Sequence, residues 1–298
     1  MKILLTGVTG QLGKEIIKNK PEGVKIISKD RLELDLLSKK SCIDAINNIK
    51  PDWIINCAAY TNVDKAEDEK DLAYRINSLA PNFFSEGIMK YGGDLLHVST
   101  DYVFNGRKGS PYYPTDKKSP INNYGYTKSK GEDFILDKLS NLNKGHIIRT
   151  SWLMSPYGNN FALKILNLLR SKNELKVISD QIGSPTTANS LAKVCWKSIK
   201  LKSKGIKIPH IMHYSDSGVA SWYDIAISLE EISREINLLN NETRILPIPS
   251  TSYPSKVKRP AYSVLDSFET LDKLSLEPIY WRKSIFNLLK NFKELQSK

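Results

Sequence analysis

Near the start of the chain an apolar run and an amphipathic stretch are joined by Gly7-Val-Thr-Gly10-Gln-Leu-Gly13, a spacing that leaves the backbone few options. Residues 2–6 before it read as a buried strand and residues 12–19 after it as a helix. Glycines placed this way let the chain turn sharply, bring its backbone against a pyrophosphate without a Cβ clash, and seat the helix on the strand. The helix N-terminus then points unpaired N–H groups at phosphate charge. The pattern predicts a dinucleotide site formed by Gly7, Thr9, Gly10, Gln11, Leu12 and Gly13; the bland alternative is a plain strand-to-helix turn.

The alternation continues for about half the chain. Strands are predicted at 2–6, 24–28, 53–56, 95–99 and 147–150, with helices at 12–19, 39–49, 71–91 and 124–139 between them. Strands and helices in strict turn predict an α/β fold, a Rossmann-type doubly wound parallel sheet. Later come a helix over 160–171, a strand at 175–178, a helix over 188–200 and a strand at 210–214. A helix over 221–235 with Ser221 as N-cap, proline-rich loops and a helix over 280–295 complete the chain. The expected division is a dinucleotide-binding domain over 1–155 and a smaller C-terminal substrate-binding domain over 156–298. The strand near 210–216 is expected to return to the first sheet, and the site to lie at the carboxyl ends of the strands.

Composition narrows the function classes. Of 298 residues 40% are hydrophobic and 26% charged, as expected of a soluble globular chain. No apolar run approaches the ~20 residues of a membrane span, and the apolar start is too short for a signal peptide. Cys42, Cys57 and Cys195 are odd in number and widely spaced, which fits a reducing cytoplasm and buried thiols. The net charge of +12 comes from 44 basic and 32 acidic residues. The lysines are scattered, with neither stripe nor motif, which argues against nucleic acid and fits a small phosphate-bearing ligand.

Two further stretches carry chemistry. Ser-Thr-Asp-Tyr-Val-Phe at 99–104 ends a buried strand with a hydroxyl at Thr100, and Tyr124-Gly-Tyr-Thr-Lys128 opens a helix. Tyr124 and Lys128 share a helix face. An ammonium there favours phenolate, so the Tyr124 pKa is expected to fall from its usual ~10. Such a phenol can protonate a carbonyl while a nicotinamide delivers hydride. Tyr-x-x-x-Lys also occurs at Tyr113/Lys117 and Tyr126/Lys130. Tyr126 points roughly 200° round the helix from Tyr124, and Pro120 and Gly125 single out Tyr124, although a packed tyrosine and a solvated lysine are the bland reading. At the end of the second strand, Asp30 suits a ribose 2′-hydroxyl while Lys29 and Arg31 suit a 2′-phosphate. The cations tilt the reading to NADPH, with NADH as the alternative. Asp35 and Leu36 lie where adenine would be met, and Ala58, Ala59 and Tyr60 where the backbone passes the cofactor.

Taken together, these residues resemble the extended short-chain dehydrogenase/reductase superfamily and, within it, the dTDP-4-dehydrorhamnose reductase family. Further carriers are Asn56 to Thr61, Asp64-Lys-Ala-Glu67, Arg149-Thr-Ser-Trp152, Gly158-Asn-Asn-Phe161, Asp180-Gln-Ile-Gly-Ser-Pro-Thr186 and Arg259-Pro260. The resemblance implies reduction of the 4-keto group of dTDP-6-deoxy-L-lyxo-4-hexulose to dTDP-L-rhamnose for bacterial surface polysaccharide. It makes Tyr124 the general acid, gives Lys128 the tuning of that phenol and the nicotinamide ribose, and sets Thr100 on the keto oxygen. Thr61, Asp101, Tyr102, Trp152, Gln181 and Arg259 are its substrate contacts. Trp152 would be an apolar surface for the deoxy sugar or else a core residue, and Arg259 a diphosphate contact or else a surface arginine. Some family members hold Mg²⁺ between carboxylates at a dimer interface. Here Glu15, expected to face outward, has Asn189 where a second glutamate would stand, and an amide is a poorer ligand for a hard cation, so no metal is expected. His210 and His213 would point to opposite faces of a strand and are not read as ligands. The partner expected is a nucleotide sugar, with no nucleic acid or membrane, and the chain a monomer or homodimer. Two alternatives stand beside this reading: another sugar-nucleotide ketoreductase or epimerase, and a non-catalytic regulatory subunit.

Overall fold

All four residues of the strand Trp53–Asn56 are buried, as are all six of Gly145–Thr150, so helices must cover both faces of their sheet. The computed structural model describes residues 1–30 and 32–297; Arg31, one of the two cations considered for the cofactor, lies outside the described residues. The chain runs β1 (Lys2–Thr6), α1 (Gln11–Lys18), β2 (Lys25–Ser28), α2 (Lys39–Ile49) and β3 (Trp53–Asn56). Next, α3 (Lys70–Tyr74) passes through a π-turn, Arg75–Leu79, into α4 (Ala80–Tyr91). Then come β4 (Asp94–Thr100), α5 (Asn123–Leu139), β5 (Gly145–Thr150), β6 (Leu153–Met154) and α6 (Phe161–Leu169). β7 (Glu174–Ile178), β8 (Ile182–Gly183), β9 (Thr186–Thr187), α7 (Ala188–Ser203) and β10 (Ile211–His213) follow. The chain ends with β11 (Ala220–Ser221), α8 (Trp222–Glu235), β12 (Arg244–Ile248), α9 (Phe268–Leu274) and α10 (Trp281–Gln296).

Six parallel strands form the main sheet in the order β10-β5-β4-β3-β1-β2, a Rossmann-type doubly wound fold. The winding reverses between β1 and β3, which opens a crevice above their carboxyl ends. On one face α1 and α7 bury Ile16, Leu191, Cys195 and Ile199 against Ile3 and Leu5. On the other, α2, α4 and α5 bury Ile46, Phe84, Ile88 and Ile135 against Leu4, Ile54 and Leu95. A third cluster, with Leu166, Leu169, Ile225, Leu229, Ile285 and Leu289, joins α6, α8 and α10. β7 and β12 pair in parallel beside it. Although α7 and β10 come late in the chain, both pack with the main sheet, Met212 of β10 lying opposite Ile148 of β5. Ser221 caps α8 through a complete capping box with Asp224. Among the described residues no helix is long and apolar enough to cross a membrane.

The glycine turn is a steric necessity. Gly7 has φ +69°, and a Cβ on it would sit 2.7 Å from Ala58 N. A Cβ on Gly13 would overlap the Gly7 carbonyl oxygen, so α1 lies directly on the turn. Gly13→Ala is therefore expected to push α1 off the turn and cost about 1–3 kcal/mol of stability, as overpacking does. Urea unfolding midpoints measure this, and an unchanged midpoint would show that the turn relaxes freely.

Candidate active site

α1 starts at Gly10 with no side-chain acceptor, which it shares with α9 and α10, whereas side chains cap α2, α5, α6, α7 and α8; α1 differs from α9 and α10 in what lies before it. Its first-turn N–H groups are left for an external anion beside a cradle that any Cβ at Gly7 would fill. A pyrophosphate fits both features. Thr9 and Gly10 are exposed there, Leu12 packs into the core, and Gln11 Oε1 accepts from Ser155 Oγ at 3.0 Å. At the end of β2, Asp30 Oδ1 accepts from Leu32 N at 2.8 Å and Glu33 N at 3.2 Å. Lys29 Nζ lies 2.8 Å from Glu33 Oε1, so it faces a carboxylate of its own turn. Asp35 Oδ1 caps Leu37 N at 2.9 Å, and Leu36 packs on the α2–α4 core. Ala58, Ala59 and Tyr60 leave β3 half-buried, with the Cys57–Ala58 backbone lying against Gly7.

β4 ends at Thr100, whose Oγ1 donates to Asp101 Oδ1 at 3.0 Å and accepts from Tyr102 N at 3.2 Å. Asp101 is buried and its Oδ2 has no partner; burial pushes its carboxyl up to about 6. Asn122 caps α5, its Oδ1 accepting from Gly125 N at 2.9 Å while its Nδ2 donates to Lys258 O at 3.0 Å. A Cβ on Gly125 would overlap the Tyr102 carbonyl oxygen, so α5 lies directly on the segment after β4. The Tyr102 ring meets Tyr124 edge-on at 5.6 Å. Tyr126, by contrast, is 46% exposed and sits over Lys130, and Tyr113 is exposed beside Lys108, so Tyr124 and Lys128 are the pair at the sheet end.

The expected effect of Lys128 on Tyr124 is not what the structure shows. Lys128 Nζ is committed to Val98 O at 2.6 Å and His97 Nε2 at 3.1 Å, and it is not among the groups that set the Tyr124 pKa. Burial pushes the Tyr124 phenol up to about 12, with the Thr100 hydroxyl opposing the rise and the Asp101 charge adding to it. Burial also pulls Lys128 down to about 8, against the Glu132 carboxylate.

The remaining candidates fall into two local groups. Trp152 adopts φ +47°, and its indole stacks on Trp222 at 3.6 Å and 7°. Gln181 Oε1 accepts from Trp222 Nε1 at 3.2 Å, which ties both to one aromatic wall. Arg259 donates to Asp64 Oδ2 at 2.8 Å and Ser255 Oγ at 2.6 Å, and Thr61 is exposed on the Asp64 loop.

The model of the RmlD substrate binding domain family matches residues 1–294. The chain belongs to this family. It is 38% identical to the spore coat polysaccharide biosynthesis protein SpsK of Bacillus subtilis over 95% of each chain. The structure of a dTDP-4-dehydrorhamnose reductase from Clostridium acetobutylicum superposes with a TM-score of 0.90 at 35% identity, covering 98% of this chain and all of that one. That of the Bacillus anthracis dTDP-4-dehydrorhamnose reductase in complex with NADP does so with 0.87 at 32%, covering 97% and 99%.

Several supports of this RmlD-family site were not evident in the sequence. Arg149 Nε and Nη2 grip Glu132 Oε1 and Oε2 at 2.9 and 2.8 Å, and Ser99 Oγ donates to Oε1 at 2.6 Å. Arg149 is 1% exposed and Glu132 fully buried. Within the π-turn, Asn77 accepts from Tyr60 N at 2.9 Å and donates to Tyr60 O and Thr127 Oγ1 at 3.1 Å, pinning the segment after β3 to α5. Trp222, just past the Ser221 cap, carried no signal beyond its place at a helix start. Glu15 corrects an expectation: it is 1% exposed, held between α1 and α7 by Asn189 Nδ2 at 2.9 Å and Asn19 Nδ2 at 3.2 Å. Among the described residues no cluster of three or more His, Cys, Asp or Glu could hold a metal.

Burial acts to raise the Glu132 pKa, but Arg149, Lys118 and Ser99 outweigh it and hold the carboxyl below its usual value. Its contribution to stability is thus present above the unfolded pKa of ~4.3 and lost as pH falls through the lower folded value. Arg149→Met leaves that carboxylate without its main partner and is expected to cost about 3–5 kcal/mol at pH 7. Urea unfolding at neutral and acid pH tests this. The loss should shrink where Glu132 takes up a proton, and wild-type stability at pH 7 would refute it.

Proposed function

We propose that this chain reduces the 4-keto group of dTDP-4-dehydrorhamnose to dTDP-L-rhamnose, drawing hydride from NADPH in preference to NADH. The observation that carries the reading is the convergence of Thr100, Tyr124 and Lys128 at the end of β4, the phenol reaching the Thr100 hydroxyl and Lys128 Nζ the Val98 carbonyl at 2.6 Å, in a fold whose α1 begins without a side-chain cap. The names of its close relatives and the NADP in one of them agree with it. When bound, a reduced nicotinamide supplies the hydride. Tyr124, with its raised pKa, is protonated throughout the neutral range and donates the phenolic proton to the carbonyl oxygen as C4 receives hydride, which yields a hydroxyl. Thr100 turns its hydroxyl from Asp101 to the same oxygen and stabilises the charge developing there. Lys128 holds the nicotinamide ribose. The C-terminal lobe binds the nucleotide sugar, the Trp152–Trp222 stack offering a stiff apolar wall to the deoxy sugar and Arg259 a cation to the diphosphate.

Incubating the protein with NADPH and a panel of 4-keto sugar nucleotides, with absorbance followed at the nicotinamide band, tests substrate choice. Oxidation of NADPH only with a different sugar would replace the substrate named here, and no oxidation at all would favour a regulatory subunit. Tyr124→Phe should lower kcat by about 10²–10⁴-fold and leave NADPH binding close to wild type. Tyr126→Phe should change neither, and equal damage at the two tyrosines would remove Tyr124 from its role.

Cofactor preference has its own test. Replacing Lys29 and Arg31 by alanine should weaken NADPH by about 1.5–3 kcal/mol for each charge-assisted hydrogen bond removed, with little effect on NADH. Equal weakening of both cofactors in titration calorimetry would give the ribose to Asp30 instead.

A further inference from the structure

Lys128 stands at the end of a buried chain of hydrogen bonds that leads back to the glycine turn. Its Nζ lies 3.1 Å from His97 Nε2, His97 Nδ1 lies 3.0 Å from Asn56 Nδ2, and Asn56 Oδ1 accepts from Thr6 Oγ1 at 2.7 Å. Thr6, Asn56, His97 and Lys128 are all 2% exposed or less, so bulk water cannot complete a bond that the chain leaves unmade. Burial and the neighbouring Lys128 charge hold His97 well below the usual imidazole range, so the ring is neutral and has one proton to place.

The bond directions then allow two settings. An ammonium has no lone pair, so a charged Lys128 needs the lone pair of His97 Nε2; the ring proton must sit on Nδ1 and face the Asn56 carbonyl oxygen. A neutral amine, still donating to Val98 O, can accept from Nε2–H; Nδ1 then accepts from the Asn56 amide nitrogen. In this structure the amide turns its nitrogen to Nδ1, and the two ends of an amide are nearly isosteric, so both settings fit the same heavy-atom positions. Thr6 accommodates either setting, because its hydroxyl, which accepts from Ala58 N at 3.4 Å, can donate to Asn56 Oδ1 or accept from the turned amide nitrogen.

We infer that His97 is a positioning residue whose tautomer, set through the Asn56 amide, is locked to the charge of Lys128. One proton is taken up per switch: Lys128 gains it, the imidazole keeps a single proton but on the other nitrogen, and the amide turns over. The other titratable groups around Lys128 do not compete. Glu132, one turn along α5, is gripped by Arg149 and Lys118, the Cys57 thiol after β3 is pushed up to about 12 by burial, and the Tyr124 phenol is neutral. This inference rests on the proposed role of Lys128 only for its consequence, that the chain sets the alkaline limb of turnover.

The test is ¹⁵N NMR of histidine-labelled protein without substrate, from about pH 6 to about pH 10, with His97 assigned by its absence in His97→Phe. The expected result is a neutral ring throughout, protonated at Nδ1 at the acid end and at Nε2 at the alkaline end. The midpoint should lie near the Lys128 value of about 8. In Lys128→Met the tautomer should no longer depend on pH. Asn56→Asp presents acceptors only, which favours Nδ1–H and the ammonium, and should raise the midpoint by at least one pH unit. A single tautomer across the range, or a switch that persists in Lys128→Met, would overturn the inference whether or not Asn56→Asp folds. A coupled switch in a protein that oxidises no NADPH would leave it standing and count against the proposed function alone.

Discussion

The grip of Arg149 on Glu132 fixes where α5 lies on the sheet, and the placement of Thr100, Tyr124 and Lys128 depends on that register. Glu132 stands one helical turn beyond Lys128, Ser99 immediately before Thr100, and Arg149 on the strand that leads to Trp152. A single buried carboxylate therefore ties together the strand with the hydroxyl, the helix with the phenol and ammonium, and the strand that enters the aromatic wall. Two parallel N–H···O bonds tolerate little rotation or slip. Such a pair adds modest net stability once desolvation is counted, so what it supplies here is geometry. Gly125 and Gly131 complete the fit, one against the Tyr102 backbone and the other against Asn77.

Burial dominates the electrostatics of the crevice. It moves Tyr124 and Asp101 up and Lys128 down, each towards the neutral form. At neutral pH the phenol keeps its proton, Lys128 is mostly charged and Asp101 mostly ionised. The simple picture of an ammonium pressed against a phenol overlooks how far a lysine side chain can reach. With four methylenes, Lys128 reaches a backbone carbonyl of β4 and the His97 imidazole instead.

Much of the fold was legible because it is written in local pattern. The glycine spacing predicts the turn and the open helix end, and the short apolar runs predict β1, β3 and β5 to the residue or nearly so. Ser221 was legible as a cap, and the apolar stretch at 210–214 as a strand returning to the sheet. The helix expected over 71–91 was legible in extent but not in its π-turn, because one inserted residue barely disturbs the apolar periodicity. For Glu15 the expectation failed. Its place on α1 was right, but whether that face met solvent depended on α7, which comes more than 170 residues later.

The sequence by itself determined the alternation of strand and helix, the tight glycine turn, and that Tyr124 rather than Tyr126 turns inward, because each follows from spacing within a few residues. Tertiary structure alone decided which groups surround those side chains. The Trp152–Trp222 stack, the Asn77 clamp on Tyr60, the Glu132–Arg149 fork and the His97 contact to Lys128 join residues between 17 and 70 positions apart. Their bond directions and pKa shifts depend on burial, and burial exists only once sheet, helices and C-terminal lobe have closed around them.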